Sequence, residues 1–277
     1  MLDCPGMAEV PIREAHERGD YEACVRLQRE VWGLSDLEVT SAIQLVATVH
    51  AGGLLLVAEK PGEGVVGFCY GFAALRDGVP HLHSDMLAVR PSLRGLGVGR
   101  RLKWAQREEA LRRGLRLVTW TFDPMRAENA RFNLRHLGAV SRELLPDFYG
   151  ETTSALHHGL PTHRLLVRWE LESPRVTRRA AGEAAAAPGS APLVNDLTWR
   201  DGLPVPSPTR LDLTPEELHL EVPADWDAVC RADAGRAREW QEAVRRAFEG
   251  LFANGYTAVD CLAEGRSARY VLRKDAG

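Results

Sequence analysis

The chain has 277 residues, with 35 lysines and arginines against 38 acidic residues and a net charge of −3. That length holds one large or two modest domains, and so even a charge balance argues against a general nucleic-acid binder. No apolar run approaches the ~18 residues that span a bilayer, and the start, MLDCPGMAEV, lacks the basic-then-apolar order of a signal peptide. The five cysteines, at 4, 24, 69, 230 and 261, lack metal spacing and read as reduced, cytoplasmic thiols.

Residues 10–15 read as a first strand. Asp20 then caps a helix whose Tyr21, Cys24, Val25, Gln28, Val31 and Trp32 fall near one face, closing at Gly33. Ser35 and Glu38 make a capping box for a second helix, with Val39, Ile43, Val46 and Val49 as its apolar residues and Gly52 and Gly53 at its end. Residues 54–59 and 65–75 are compact apolar strands joined by the turn Pro61-Gly62-Glu63-Gly64. Arg76-Asp77-Gly78 turns into a third strand over 81–89, so short turns predict an antiparallel meander.

The most informative stretch follows. Met86-Leu87-Ala88-Val89 is bounded by Pro91, which cannot continue a ladder, and glycines stand at 95, 97 and 99. From Val98 to Arg113 the composition is helical, and Gly114 suits a left-handed C-cap. A glycine-rich loop entering a helix brings backbone N–H groups together with no side chain in the way, and the helix start adds about half a positive charge. Arg94, Arg100 and Arg101 surround this nest, and its natural guest is a pyrophosphate.

Residues 115–122 form a further strand that Asp123-Pro124 breaks; a helix over 126–137 and strands over 139–145 and 164–171 complete a first domain, 1–172. Residues 173–192, rich in Ala, Pro, Gly and Arg, read as a linker or mobile loop. The rest, 193–277, reads as a small αβ unit packed on the first domain. It has a strand at 218–222, a helix at 236–253 with Trp240, Val244, Ala247 and Leu251 on one face, and strands at 256–262 and 268–272.

Leu87-Ala88-Val89-Arg90-Pro91 followed by Arg94-Gly95-Leu96-Gly97-Val98-Gly99 resembles the acyl-CoA signature of the GNAT superfamily of N-acyltransferases. The wider pattern, with WTFDP at 120–124 and LPTHRLLVRWEL at 160–171, resembles a bacterial branch carrying a C-terminal extension. The resemblance implies an α+β fold whose mixed, mostly antiparallel central sheet splays and is flanked by helices, plus the small C-terminal αβ unit. It implies acetyl-CoA, or another acyl-CoA such as succinyl-CoA, as co-substrate, with no metal. The loop from Arg94 through Gly95, Leu96, Gly97, Val98 and Gly99 to Arg100 would hold the pyrophosphate, Arg101 would meet the 3′-phosphate, and Leu87, Ala88 and Val89 would align the pantetheine. The family's helix asparagine and tyrosine fall here on Ala127 and Leu134, so both are absent; Asn129 and Asn133 are the nearest substitutes for the cofactor contact. A dinucleotide-binding turn is the rival, with Asp123 as its acidic residue. The G-x-G-x-G spacing, the five residues between Val89 and Gly95 and the polar residues of the strand speak against it.

Acyl transfer to an amine needs a proton acceptor, a polarised thioester carbonyl and a leaving thiolate that is protonated or stabilised. The resemblance places the thioester where strand 81–89 splays from strand 115–122, with the backbone N–H of Leu87 as oxyanion donor. By the period of two, His81, His83, Asp85, Leu87 and Val89 share a strand face. His83 is the candidate base, with His81 as a weaker alternative; Asp85 orients His83 or binds the amine. Tyr149 is the candidate acid. Trp32, Trp120, Phe122 and Asp123 are candidate acceptor-pocket residues, though Asp123 also reads as a helix N-cap. His157, His158 and His163 lie in a loop without zinc-motif spacing. The expected function is acyl transfer, acetyl by default, from acyl-CoA to a primary amine of a small molecule. The alternatives are amino-acid N-succinylation, with Arg164 and Arg168 meeting a second carboxylate, a protein-acetylating enzyme, and a non-catalytic CoA-binding sensor or interaction protein. Expected partners are acyl-CoA and the amine, with no nucleic acid and no membrane; a homodimer is left open.

Overall fold

A computed structural model of the chain describes residues 10–154 and 157–274. Cys4 and the leader reading of the first nine residues lie outside them. Among the described residues no helix is long and apolar enough to cross a membrane. The chain divides into two compact units, residues 1–119 with 152–156, and residues 120–151 with 157–277.

The first unit contains β1 (Ile12–Glu14), α1 (Arg18–Trp32), α2 (Ala42–His50), β2 (Leu54–Lys60), β3 (Gly64–Arg76), β4 (Val79–Val89), α3 (Val98–Arg112) and the start of β5 (Leu117–Phe122). Its strands run in the order β1-β2-β3-β4-β5, antiparallel until the last pair, which is parallel. That parallel step follows from chemistry, because α3 separates β4 from β5 and a crossover returns the chain in the same direction. Tyr21, Cys24 and Leu27 of α1 and Leu45 of α2 pack on Leu55, Val57, Phe68, Tyr70 and Ala88 to form the core on one sheet face.

Two local expectations for the helices change. Asp20 occupies the third position of α1, not its cap: it accepts from the backbone N–H of His16 and Glu17 and from both terminal nitrogens of Arg13 at 2.7 and 2.8 Å. The Ser35/Glu38 capping box does not form. α2 starts seven residues after Ser35, with Ser41 accepting from the Gln44 N–H at 3.2 Å. The Glu38 carboxylate instead accepts from the Thr153 N–H at 2.8 Å and from the Thr152 hydroxyl at 3.3 Å, a pairing across more than a hundred residues that outcompetes the local motif. With the start shifted, Leu45 is the buried residue of α2, and Ile43 stands 83% exposed.

The second unit contains the end of β5, α4 (Ala127–Ala130), a π-helical turn (Arg131–His136), β6 (Val140–Leu145), β7 (Arg164–Glu170), α5 (Pro174–Ala180), β8 (Thr198–Arg200), β9 (Leu203–Val205), β10 (Glu217–Pro223), α6 (Trp226–Ala232), α7 (Ala234–Ala253), β11 (Tyr256–Glu264) and β12 (Ser267–Lys274). Its sheet order is β7-β6-β11-β12-β10, antiparallel at each of these pairs. Trp240, Val244, Ala247 and Leu251 of α7 are buried as their spacing predicts. Residues 139–171 and 217–274 share one sheet, so the compact units do not divide at residue 172.

The stretch expected as a linker holds a packed helix. Ser173 caps α5 by accepting from the Val176 N–H, Pro174 takes the first turn, and Val176 is buried. The Arg175 guanidinium donates to the carbonyls of Leu134 (3.0 Å) and Gly138 (3.1 Å) and also to that of Val259; Arg179 donates to that of Arg135 at 3.0 Å. These two arginines satisfy carbonyls that the end of the π-helical turn leaves without helical partners. Gly138 suits the contact, because its φ is +77° and a Cβ there would meet the Arg179 side chain at 3.3 Å.

Candidate active site

The glycine loop lies wholly in the first unit. After a 3₁₀ turn over Pro91–Leu93, Gly95 and Gly97 adopt φ of +76° and +80°, and Gly97 is the N-cap of α3. A Cβ at either glycine would meet nothing within 4 Å, so the concavity is open, whereas a Cβ at Gly99 would touch the Val89 and Leu87 side chains at 3.7 and 3.8 Å. Among the described residues, no backbone N–H over 95–100 reaches a loop or cap acceptor; the first such bond runs from Arg101 back to Gly97 at 3.0 Å. Arg94 and Arg100 are exposed, and one buried Arg101 nitrogen has no hydrogen-bond partner. Left-handed glycines at a helix start and an orphaned guanidinium nitrogen fit a diphosphate and its sugar phosphate.

β4 contains a bulge. Tyr70 pairs with Met86 and the next residue, Gly71, pairs with Ser84, so Asp85 is the extra residue. The bulge inverts the alternation and corrects the shared-face expectation. Before it, His83 stacks on Phe72 with ring centroids 5.2 Å apart; after it, Met86 and Ala88 face that same α1/α2 side. Leu87 and Val89 instead face Gly99 of α3, together with Ser84, which accepts from Lys103 at 3.1 Å. The parallel ladder of β4 with β5 is two pairs long, Leu82 with Val118 and His83 with Thr119.

His83 Nδ1 lies 2.9 Å from the Thr119 hydroxyl. Burial, followed by the charges of His81 and Lys103, pushes its pKa down to about 4, so the imidazole is neutral at ordinary pH. His81 sits deeper, with Nδ1 3.0 Å from the Val79 carbonyl. Asp85 is solvent-accessible yet crowded enough that desolvation raises its carboxyl above the usual range. On the other face Lys103 is 2% exposed, donates to Ser84 and to Gln106 Oε1 (2.7 Å), and is pushed down to about 8 by burial. Thr119 and Lys103 escaped the sequence reading. A signal for Lys103 existed, since it shares with Val98, Leu102, Gln106 and Ala110 the buried side of α3. Trp32 packs edge-on against Phe68 at 6.2 Å, and its carbonyl accepts from the Ser154 hydroxyl at 3.3 Å.

The remaining candidates lie in the second unit. Trp120 and Phe122 are core residues, 7% and 4% exposed, with Trp120 edge-on to Trp169. The residue between them, Thr121, points the other way and lies 3.2 Å from the Tyr149 hydroxyl, so it replaces both as the polar candidate of this strand. The Arg164 guanidinium stacks 5.0 Å from the Tyr149 ring centre; its Nε is buried without a partner, and an Nη2 group reaches His157 Nε2 only at 3.5 Å. Asp123 does not cap the helix. Its carboxylate accepts from the Met125 N–H at 2.8 Å, and burial raises its pKa despite the nearby cations Arg164 and Arg126. Asn129 is exposed, whereas Asn133 is buried with its carbonyl accepting from Ala139. His157, His158 and His163 go to separate partners: Arg164, Asp227 Oδ1 at 2.8 Å and the Asp147 N–H at 3.0 Å. Arg168 is paired with Glu170 at 2.8 Å.

Residues 20–138 match the model of the Acetyltransferase (GNAT) family. The matched stretch carries the loop and the bulged strand described above. Among solved structures, the chain is similar to the ribosomal-protein-S18-alanine N-acetyltransferase of Escherichia coli, at 15% identity over 59% of this chain and 94% of that one, with a TM-score of 0.47. It is similar to the ribosomal-protein-alanine N-acetyltransferase of Brucella melitensis, at 22% identity over 57% and 98%, with a TM-score of 0.47. A phosphinothricin acetyltransferase of Sinorhizobium meliloti, solved in complex with AcCoA, aligns at 16% identity over 58% and 88%, with a TM-score of 0.46. Likenesses of this strength carry nothing about the acceptor. No curated protein matches the chain.

Proposed function

We propose that this protein transfers an acyl group, acetyl by default, from acyl-CoA to a primary amine of a small molecule by direct attack in a ternary complex. The observation that carries this reading is the glycine nest at the start of α3, with left-handed Gly95 and Gly97 and an orphaned Arg101 nitrogen beside it, directly after β4. Loop amides take the pyrophosphate, Arg101 the 3′-phosphate, and the backbone of Leu87, Ala88 and Val89 the pantetheine. In the chemical step the amine nitrogen attacks the thioester carbon, the Leu87 N–H stabilises the developing oxyanion, and the C–S bond breaks. A histidine with pKa near 4 is too weak to strip a proton from a free ammonium. It suits the attacking nitrogen after the C–N bond has formed, when that proton is far more acidic. His83 is the acceptor in this reading, Thr119 orients its ring, and Asp85 holds the incoming amine. Water returns a proton to the thiolate, so the products are the amide and free CoA.

One observation favours a second reading, transfer involving a carboxylate such as a succinyl donor or an amino-acid acceptor. The Arg164 Nε is withdrawn from water without a partner, and a carboxylate would satisfy it. The ion pair with Glu170 removes Arg168 from that role. The test is thiol release from acetyl-CoA and succinyl-CoA against amino acids, polyamines and aminoglycosides, with CoA affinity measured by calorimetry for wild type and Gly97→Val. Turnover with one amine class, and loss of CoA binding in the variant, support the proposal. CoA binding without turnover on any amine supports the sensor reading, and unchanged CoA affinity in Gly97→Val overturns the loop assignment.

A further inference from the structure

The second unit holds a cavity of about 410 Å³ that the acyl-transfer reading does not use. Its walls are the π-helical turn, residues 187–189, and strands β10, β11 and β12, and its lining includes Arg131, Arg135, Arg269, His219, Glu264 and Leu262. That volume suits a small metabolite. Three guanidinium groups converge on it, and they are not equally occupied. Arg135 is spent on Asp260 at 2.7 Å, with a longer contact of 3.4 Å to the Ala185 carbonyl. Arg269 donates Nη2 to Glu221 at 3.0 Å and holds Nη1 3.8 Å from Glu264, while its Nε is buried without a partner. Arg131 is exposed and has no hydrogen bond or ion pair among the described residues. Unsatisfied donor capacity therefore sits on two arginines of one concave surface, and both Arg131 and Arg135 ride on a π-helical turn, a geometry found often at functional sites.

We propose that this cavity binds a small phosphate monoester. The phosphate takes Arg131 and the unpartnered Nε of Arg269, which a small turn of that side chain brings to the ligand, since planar guanidinium donors match phosphate oxygens in pairs. A hydroxyl-bearing body turns to Glu264, which is the acceptor on the same wall, and Leu262 supplies an apolar side. The pairing of Arg135 with Asp260 holds the π turn in place and leaves the charge of Arg131 for the ligand.

The test uses the full chain with saturating CoA, so that the glycine loop is filled, and titrates inorganic phosphate and O-phosphoserine at constant ionic strength by calorimetry. Wild type should show saturable binding of O-phosphoserine. Arg131→Glu should weaken it about tenfold or more, the scale of one lost charge-assisted hydrogen bond. Ala187→Trp, at an exposed wall position, should abolish it by filling the space. Both variants keep the glycine loop intact, so a loss in them reports on this cavity alone. No saturable binding of either probe to wild type, or equal affinity in wild type and both variants, overturns the proposal. Equal loss of melting temperature and of CoA affinity in both variants would assign these residues to stability and overturn it as well.

Discussion

Gly71→Ala is the most discriminating single change for the bulged strand. Gly71 faces the bulge, and a Cβ added there would stand 2.7 Å from the His83 carbonyl oxygen, 3.2 Å from Leu82 Cγ and 3.3 Å from Ser84 Cα. Two of these are backbone atoms and cannot rotate away. Restoring an ordinary contact of 3.4 Å needs about 0.7 Å of separation between β3 and β4 at His83. Overpacking of this kind costs about 1–3 kcal/mol, and displacement of a catalytic group by ~1 Å costs on the order of 10²-fold in rate. Urea denaturation should show a lower midpoint with an unchanged slope, and thiol release should show kcat reduced by roughly one to two orders of magnitude at full CoA occupancy. Gly19→Ala is the control, because it lies in the first turn of α1 with nothing within 4 Å, and it should stabilise by ~0.5 kcal/mol. Wild-type stability and kcat in Gly71→Ala would refute both the close approach at the bulge and the role given to His83.

Thr119→Val keeps the shape of the side chain and removes the hydroxyl 2.9 Å from His83 Nδ1. It should lower kcat with little change in CoA affinity, and imidazole NMR should report a changed tautomer balance; an unchanged spectrum would remove Thr119 as the orienting group. Because burial holds His83 near 4, the acid limb of kcat that it causes should lie near that pH, well below the 6.5 of a free histidine. Asp20 tests the fold: Arg13 and two backbone N–H groups hold its carboxyl down to about 2 from 3.8. A depressed folded pKa means stability that is fully present above 3.8 and lost as pH falls through 2. With Arg13 39% exposed the linkage is screened, which leaves about 1–2 kcal/mol. Asp20→Asn should therefore be destabilised by that amount near neutral pH, and a gap that persists undiminished at the lowest accessible pH would contradict the linkage.

Much of the first unit is legible in the sequence because its signals are local. Glycine loop, strand and helix agree over one continuous stretch, and the steric needs of Gly95 and Gly97 are met by the residues themselves. The face of α7 follows from a 3.6-residue period that packing did not disturb. Residue roles at the candidate site were less legible, because they depend on partners distant in sequence. One extra residue at Asp85 sends His83 and Leu87 to opposite faces, and period-two counting has no means of detecting it. Glu38 left its capping box for Thr152 and Thr153, and Trp120 and Phe122 gave way to Thr121 once Trp169 filled the core beside them.

By itself, the sequence determined the glycine loop that enters α3, the order of helices and strands in the first unit, and the α+β class, since each rests on backbone preferences within a few residues. Tertiary structure alone decided that Pro174–Ala180 is a packed helix, that β6 and β11 share a sheet, and which side chains become buried donors without partners. The physical reason is the same in each case. Carbonyls of the π-helical turn, an unpaired strand edge and a desolvated guanidinium acquire their free energies only when distant segments exclude water from them.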